Sequence, residues 1–306
     1  MPADRSRLAL LAVAVAVLTW GCSNVLIKGI AVPGLVASFY RLWFSVPLLW
    51  AIPLVHRASR ARLDRDWLRA ALIGGSLFAI HQVLFFSALK RTTVANVALI
   101  GSLQPPLVVF AARRWFDEAT APRALGWSLV AIAGAAMVVA GAAGLPGWNA
   151  FGDALAVANL FAFTAYFLTT KRLRDRAGAT EYMIGMTSVA ALIMLVICAA
   201  SGQPLLAPSG WEWAALLTLA LFPGTLGHFL ASWAYPHASA FAVSILFLTV
   251  PVVATAGAAL FLGETLSGLQ LVGGAVVLGA VAAVVLLQPA RAGEELAESV
   301  VETDAP

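Results

Sequence analysis

Charge is what this chain is short of. Only 11% of its 306 residues are Asp, Glu, Lys or Arg, while 61% are hydrophobic. Soluble domains carry about 25% charged residues, so lipid is the solvent for most of this surface. Cysteine is also scarce. Cys22 and Cys198 both lie in apolar stretches, lack metal-ligand spacing, and read as small packing residues. The sequence has no P-loop, no Cys-x-x-Cys, no His-Glu-x-x-His, no Ser/His/Asp set and no acidic metal cluster. An integral-membrane enzyme, the rival reading from another class, would need such a constellation. No catalytic residue, metal or cofactor is therefore predicted. Nor does any Asp or Glu lie within an apolar segment: Glu118, Asp153 and Glu264 all sit at segment ends. A proton carrier commonly holds a carboxylate near the midplane. Without one, His81 and His228 are the central groups that titrate near neutrality.

Long apolar runs, by contrast, are abundant. A hydrocarbon core of roughly 30 Å needs about 20 apolar residues in a helix. Windows of that length predict ten spans, at 8–29, 34–55, 67–89, 93–112, 122–142, 151–171, 181–200, 212–235, 238–261 and 267–287. Backbone amides in lipid must be satisfied internally, and the alternation of a β-barrel is absent, so the spans are helices. The fold class predicted is an all-α polytopic membrane protein. Arg5 and Arg7 before Leu8–Leu18 resemble a signal peptide, but Trp20 is too bulky for a cleavage site and apolar character continues to Ile30.

With the N-terminus inside, fifteen of the 19 basic residues fall on the inner side. Lys28, Lys90 and Arg91 lie outside, and Arg41 is within the second span. This bias places both termini in the cytoplasm of a cell (inner) membrane protein. The basic residues occupy short inter-helix loops and form no patch, which excludes a nucleic-acid partner. Residues 290–306 form an acidic tail carrying Glu294, Glu295, Glu298, Glu302 and Asp304, predicted to be disordered.

The second half repeats the first. At an offset of 146, Ala88 meets Ala234, Pro105 meets Pro251 and Glu118 meets Glu264. Trp20 to Lys28 also matches Phe163 to Lys171, at an offset of 143. The boundaries expected are 1–146 for helices one to five and 147–289 for helices six to ten. Five helices per copy is an odd number, so the copies run in opposite directions through the membrane.

Each half ends in a proline-centred helix, an acidic residue, a short loop and a Gly/Ala-rich helix. The second copy carries Pro251, then Phe261-Leu262-Gly263-Glu264-Thr265 and Gly273-Gly274. The first carries Pro105-Pro106, Asp117-Glu118 and Gly126. With Gly152-Asp153 and Tyr40-Arg41-Leu42-Trp43, this resembles the EamA-type branch of the drug/metabolite transporter superfamily across residues 8–287. The first copy departs in having Arg113-Arg114-Trp115 before Asp117-Glu118. The resemblance implies ten helices around a central cavity lined by helices one to four and six to nine. Helices five and ten would then be peripheral, often at a dimer contact. It implies a secondary permease that exports or exchanges a small organic metabolite, such as an amino acid or amphipathic compound, by alternating access. A multidrug-type exporter of the same fold is the alternative. A homodimer is compatible with the small-residue seam Ala275, Gly279 and Ala283.

Polar residues inside hydrocarbon face the bundle interior or a wet cavity, and helical spacing tells which share a face. Trp20, Asn24 and Lys28 form one stripe. Asn159, Phe163, Tyr166 and Thr170 form a second; Thr225, His228, Ser232 and Tyr235 a third. The substrate-binding candidates are Trp20, Asn24, Arg41, His81, Gln82, Asn96, Tyr166, His228, Trp233 and Ser244. Arg41 either snorkels to the outer interface or attracts an anionic group such as a carboxylate. Pro105 and Pro251 remove mid-helix hydrogen bonds and mark kinks, either as hinges or as fixed curvature. Tryptophans 67, 115, 127, 148, 211 and 213 lie near span ends and read as interfacial anchors.

Overall fold

A computed structural model describes residues 3–55, 64–104, 106–107, 122–174, 179–205, 208–234 and 246–286. Pro105, Glu118, Ser244 and the acidic tail lie outside the described residues, as does the Trp233 side chain. Among the described residues the chain is all helical, in ten segments. They are α1 (Ala3–Gly29), α2 (Gly34–Val55), α3 (Arg65–Arg91), α4 (Val94–Gly101), α5 (Pro122–Ala142), α6 (Ala150–Arg174) and α7 (Ala179–Ala200). Then come α8, α9 (Thr249–Leu262) and α10 (Gly268–Leu286). The α8 segment is composite: Trp211–Leu219, a π-helical stretch Ala220–Leu226, and Gly227–Ala234.

Six of these helices are long and apolar enough to cross a bilayer: α1, α2, α3, α6, α7 and α8. Shorter apolar helices lie at Gly126–Ala142, Thr249–Leu262 and Gly268–Val284. Large apolar side chains such as Leu11, Leu129, Val196, Leu260 and Phe261 stand exposed on them. In water that surface would be unstable; in lipid it is matched to its solvent, and the protein is a multi-pass membrane protein.

Packing follows a two-fold plan. Helix α3 lies between α6 and α7, and α8 lies between α1 and α2. Helix α4 meets α9, α2 meets α7, and α5 packs along α10. Exchanging each helix with the one five places along maps this pattern onto itself. The α5–α10 contact is close because small residues line it: a Cβ on Gly273 would stand 2.8 Å from the Gly134 carbonyl oxygen. Gly279 points elsewhere, with nothing within 4 Å of its Cβ position.

Helix ends show why the elements stop where they do. Asp64 caps α3, its side chain accepting from the Trp67 N–H at 2.8 Å. Thr93 caps α4, accepting from the Asn96 N–H at 3.2 Å. At the end of α9, Gly263 takes the left-handed conformation (φ 66°) that a side chain disfavours, and its N–H donates to the Ala258 carbonyl. Glu264 follows directly.

Both predicted proline sites lie beside a break. The path is helical at Leu246 and Phe247, turns at Leu248, and resumes at Thr249, two residues before Pro251. In the first half the matching turn is at Ser102 and Leu103, ahead of Pro105 and Pro106. Ser102 and Leu248 are 146 residues apart, the repeat offset. A proline cannot donate to the carbonyl four residues back and clashes with it, which unwinds the preceding turn.

Candidate functional site

Helical spacing puts Phe78, His81, Gln82 and Phe85 on one face of α3. That face meets α6. His81 Nδ1 donates to Asn159 Oδ1 at 2.7 Å, which fixes the proton on Nδ1. The His81 ring lies 4.8 Å from Phe163 and 6.4 Å from Tyr166, parallel to the latter within 8°. Phe78 contacts Tyr166 at 5.1 Å between centroids. On the other side Phe78 meets His228 of α8 edge-on at 6.5 Å. His228 in turn meets Trp20 of α1 at 5.2 Å. Trp20 stacks on Phe247 at 5.4 Å and 23°. An unbroken series of rings therefore crosses the interior, drawn from both halves of the chain.

Arg41 of α2 enters the same region. It is 8% exposed, so its guanidinium does not reach out of the bundle. The bland expectation for this residue, snorkelling to the outer interface, is not the conformation adopted. Its Nε lies 3.7 Å from the Cβ position of Gly224, an ordinary contact distance, and the preceding Pro223 carbonyl accepts from Trp20 Nε1. The close neighbour at Gly224 is backbone: a Cβ there would sit only 2.9 Å from the Leu219 carbonyl oxygen. The ion pair found among the described residues is Arg69–Asp66 at 3.6 Å, on the exposed start of α3. Among the described residues, no carboxylate compensates Arg41.

The π-helical stretch of α8 organises this wall. Widening around Pro223 releases carbonyls from the helical ladder, and side chains from α1 and α2 take them up. Trp20 Nε1 donates to the Pro223 carbonyl at 3.0 Å. Ser45 Oγ and Thr225 Oγ1 donate to the Ala220 carbonyl at 3.3 and 2.9 Å. Three buried polar groups near these rings in sequence lack partners among the described residues. Both amide atoms of Gln82 are unbonded, as are Ser38 Oγ and Asn24 Oδ1. Asn24 Nδ2 donates to the Trp20 carbonyl at 3.2 Å.

Asn96, predicted alongside these residues, is placed elsewhere. It is fully buried where α4, α6 and α10 converge. Its Nδ2 donates to both Asp153 oxygens at 3.0 and 2.9 Å, and its Oδ1 accepts from Gln270 Nε2 at 3.1 Å. Thr92 Oγ1 and Trp148 Nε1 also donate to Asp153, at 2.6 and 2.9 Å. Trp148, read as an interfacial anchor, thus has its indole N–H committed to a carboxylate. Gly152 permits the approach, since a Cβ there would lie 2.7 Å from that of Thr92. This is a structural node with its amide fully used.

A second polar assembly joins helix ends on the side carrying Lys28 and Lys90. Glu264 accepts from the Val94 N–H at the start of α4 through both oxygens, at 3.0 and 2.9 Å. Glu212 accepts from the Ala31 and Ser209 N–H groups, both at 3.1 Å. Lys28 Nζ donates to the Thr92 carbonyl at 2.6 Å, and Lys90 Nζ donates to the Ile30 carbonyl. The carboxylates stand at helix N-termini, the favourable end of each dipole.

Sequence reasoning missed three contributors. Phe78 reads as one apolar residue among many. Glu212 reads as an ordinary first-turn acid. Pro223-Gly224 inside an apolar window was the available signal for the break in α8. An apolar groove of about 400 Å³ between α1 and α9, lined by Cys22, Val25, Gly29, Val253 and Gly257 among others, lies apart from the rings.

A family model described as the EamA-like transporter family matches this chain twice, over residues 7–140 and 150–286. A solved crystal structure superposes with a TM-score of 0.66 at 21% identity, covering 92% of this chain and 99% of its own. No curated protein matches.

Proposed function

The chain belongs to the EamA-like transporter family, and from that membership of a drug/metabolite-type transporter family we propose a secondary carrier for a small organic metabolite. It crosses a cell inner membrane ten times, with both termini cytoplasmic and its two five-helix repeats inverted. The solute binds among Trp20, Arg41, Phe78, His81, Tyr166 and His228. The carrying observation is that the ring series runs between helices of both repeats, with the buried Arg41 against the Pro223-Gly224 stretch that Trp20 bonds. A site shared between inverted repeats can be exposed to either side by rocking one bundle against the other.

The features beside the rings suit that motion. The turns at Ser102 and Leu248 occupy equivalent places in the two repeats, and the π stretch of α8 is a third discontinuity. Breaks of this kind concentrate flexing at fixed points. The Glu212 and Glu264 contacts tie helix ends together on the outer side, so the arrangement described is closed there. Export begins from such a state, with the solute entering from the inside.

The test is transport by the full-length protein in liposomes, using a mixed library of anionic, neutral and cationic metabolites. At least one solute should equilibrate faster than in protein-free vesicles. Tyr166→Ala should slow that flux at least tenfold while the protein still folds. A library in which nothing moves would overturn the reading.

A further inference from the structure

We propose that the solute is an organic carboxylate with an apolar, ring-sized body, its carboxylate held by Arg41 and its body by the ring series. This rests on the carrier reading and names the chemistry its site selects. A buried arginine without a counter-charge is an open demand for an anion, since low-dielectric surroundings amplify the interaction with whatever negative group arrives. Arg41 is 8% exposed and has no carboxylate partner among the described residues. The ring neighbours supply no counter-charge: His81 and His228 carry no negative charge in either protonation state, and Tyr166 offers a neutral hydroxyl. Three of the described acids are engaged elsewhere, Asp153 with Thr92, Asn96 and Trp148, Glu212 and Glu264 with backbone N–H groups.

Geometry selects a carboxylate over a bare inorganic anion. The guanidinium presents a planar fork suited to two carboxylate oxygens. Trp20 Nε1 donates to the Pro223 carbonyl beside Gly224, whose Cβ position is 3.7 Å from Arg41 Nε. From Trp20 the rings run through His228 and Phe78 to Tyr166, surfaces that gain from an apolar or aromatic body and offer nothing to a hydrated ion. The idle amide of Gln82, on the same α3 face as Phe78, can bond a further polar substituent. An amine-bearing solute would meet Arg41 as a like charge. A neutral one would leave it uncompensated.

A matched set of probes isolates the charge: 3-phenylpropionate, 3-phenylpropanamide and 3-phenylpropylamine. Binding to the purified full-length protein is measured by calorimetry, and counterflow is measured in liposomes. The acid should bind at least tenfold tighter than the amide, and the amine weaker still. Arg41→Gln should abolish the preference for acid over amide, while Arg41→Lys, which keeps charge but loses the fork, retains part of it. Equal binding of acid and amide by the native protein overturns the proposal, whatever the variants do. So does a folded Arg41→Gln protein that still prefers the acid. Transport of neutral or cationic solutes with no acid recognised would overturn it and leave the carrier reading standing.

Discussion

At the residue scale the interior divides into polar groups that are satisfied and polar groups that are not, and the division sorts structure from site. Asp153 is the clearest satisfied case. It is 4% exposed and accepts from Thr92, Asn96 and Trp148, so its carboxylate has a donor for each direction. Asp153→Asn replaces one acceptor oxygen by an N–H₂ that faces donors. That leaves a buried group unpaired, worth about 1–3 kcal/mol. Chemical or thermal denaturation in detergent should show a loss of that size. An unchanged midpoint would mean the node is ornamental. Sequence spacing read Trp20, Tyr166 and His228 as facing the interior because each lies on a polar stripe; Trp20 and His228 meet directly, and Phe78 links His228 to Tyr166. It could not place Asn96, since a fully buried asparagine between three helices has the same spacing as one lining a cavity. The difference lies in partners from α6 and α10, which are 57 and 174 residues away. Arg41 has the opposite character, a large charge with no ion-pair partner among the described residues. About 2.5–3.5 kcal/mol is the insertion cost of such a charge, and a solute that neutralises it would recover part of that.

At the element scale, apolar runs marked most helices to within a few residues. The exceptions are the predicted spans 93–112 and 238–261, where the described helices are Val94–Gly101 and Thr249–Leu262, each beside a turn. Departures from regularity were legible only where proline announced them. The turns at Ser102 and Leu248 fall beside the predicted prolines, but the π stretch around Pro223 belongs to one repeat only and the repeat comparison could not reveal it. That stretch depends on Gly224. A methyl group there would lie 2.9 Å from the Leu219 carbonyl and 3.0 Å from Ser45 Oγ, too close for either to stay. Gly224→Ala should therefore cost about 1–3 kcal/mol by overpacking and lower the melting temperature. Gly279→Ala is the matched control. Its Cβ meets nothing within 4 Å, so helix propensity should leave stability equal or higher by about 0.5–1 kcal/mol. Equal effects at both glycines would show that the π stretch tolerates a side chain and shapes nothing.

At the scale of the whole molecule, the packing repeats with a shift of five helices, and the helix ends beside Lys28 and Lys90 are tied by two carboxylates, Glu212 in the first turn of α8 and Glu264 just past α9. Glu264 was legible from its place in the repeat; Glu212 was not, because its partner Ala31 lies 181 residues away and is a backbone N–H. If closure is a single cooperative event, loosening one carboxylate should loosen the other. Glu264→Gln weakens a charge-assisted contact to the Val94 N–H and removes the attraction to Lys28. A loss of about 1.4 kcal/mol shifts an open–closed equilibrium roughly tenfold. Hydrogen exchange reads both ends of the argument in one experiment. Faster exchange at Val94 alone would mean a lost cap and a rigid outer face. Faster exchange at Val94 and at Ala31, which Glu264 does not touch, would mean that the outer face opens as a unit. Alternating access requires the second result, because a face that opens piecemeal would leak solute past the site instead of carrying it.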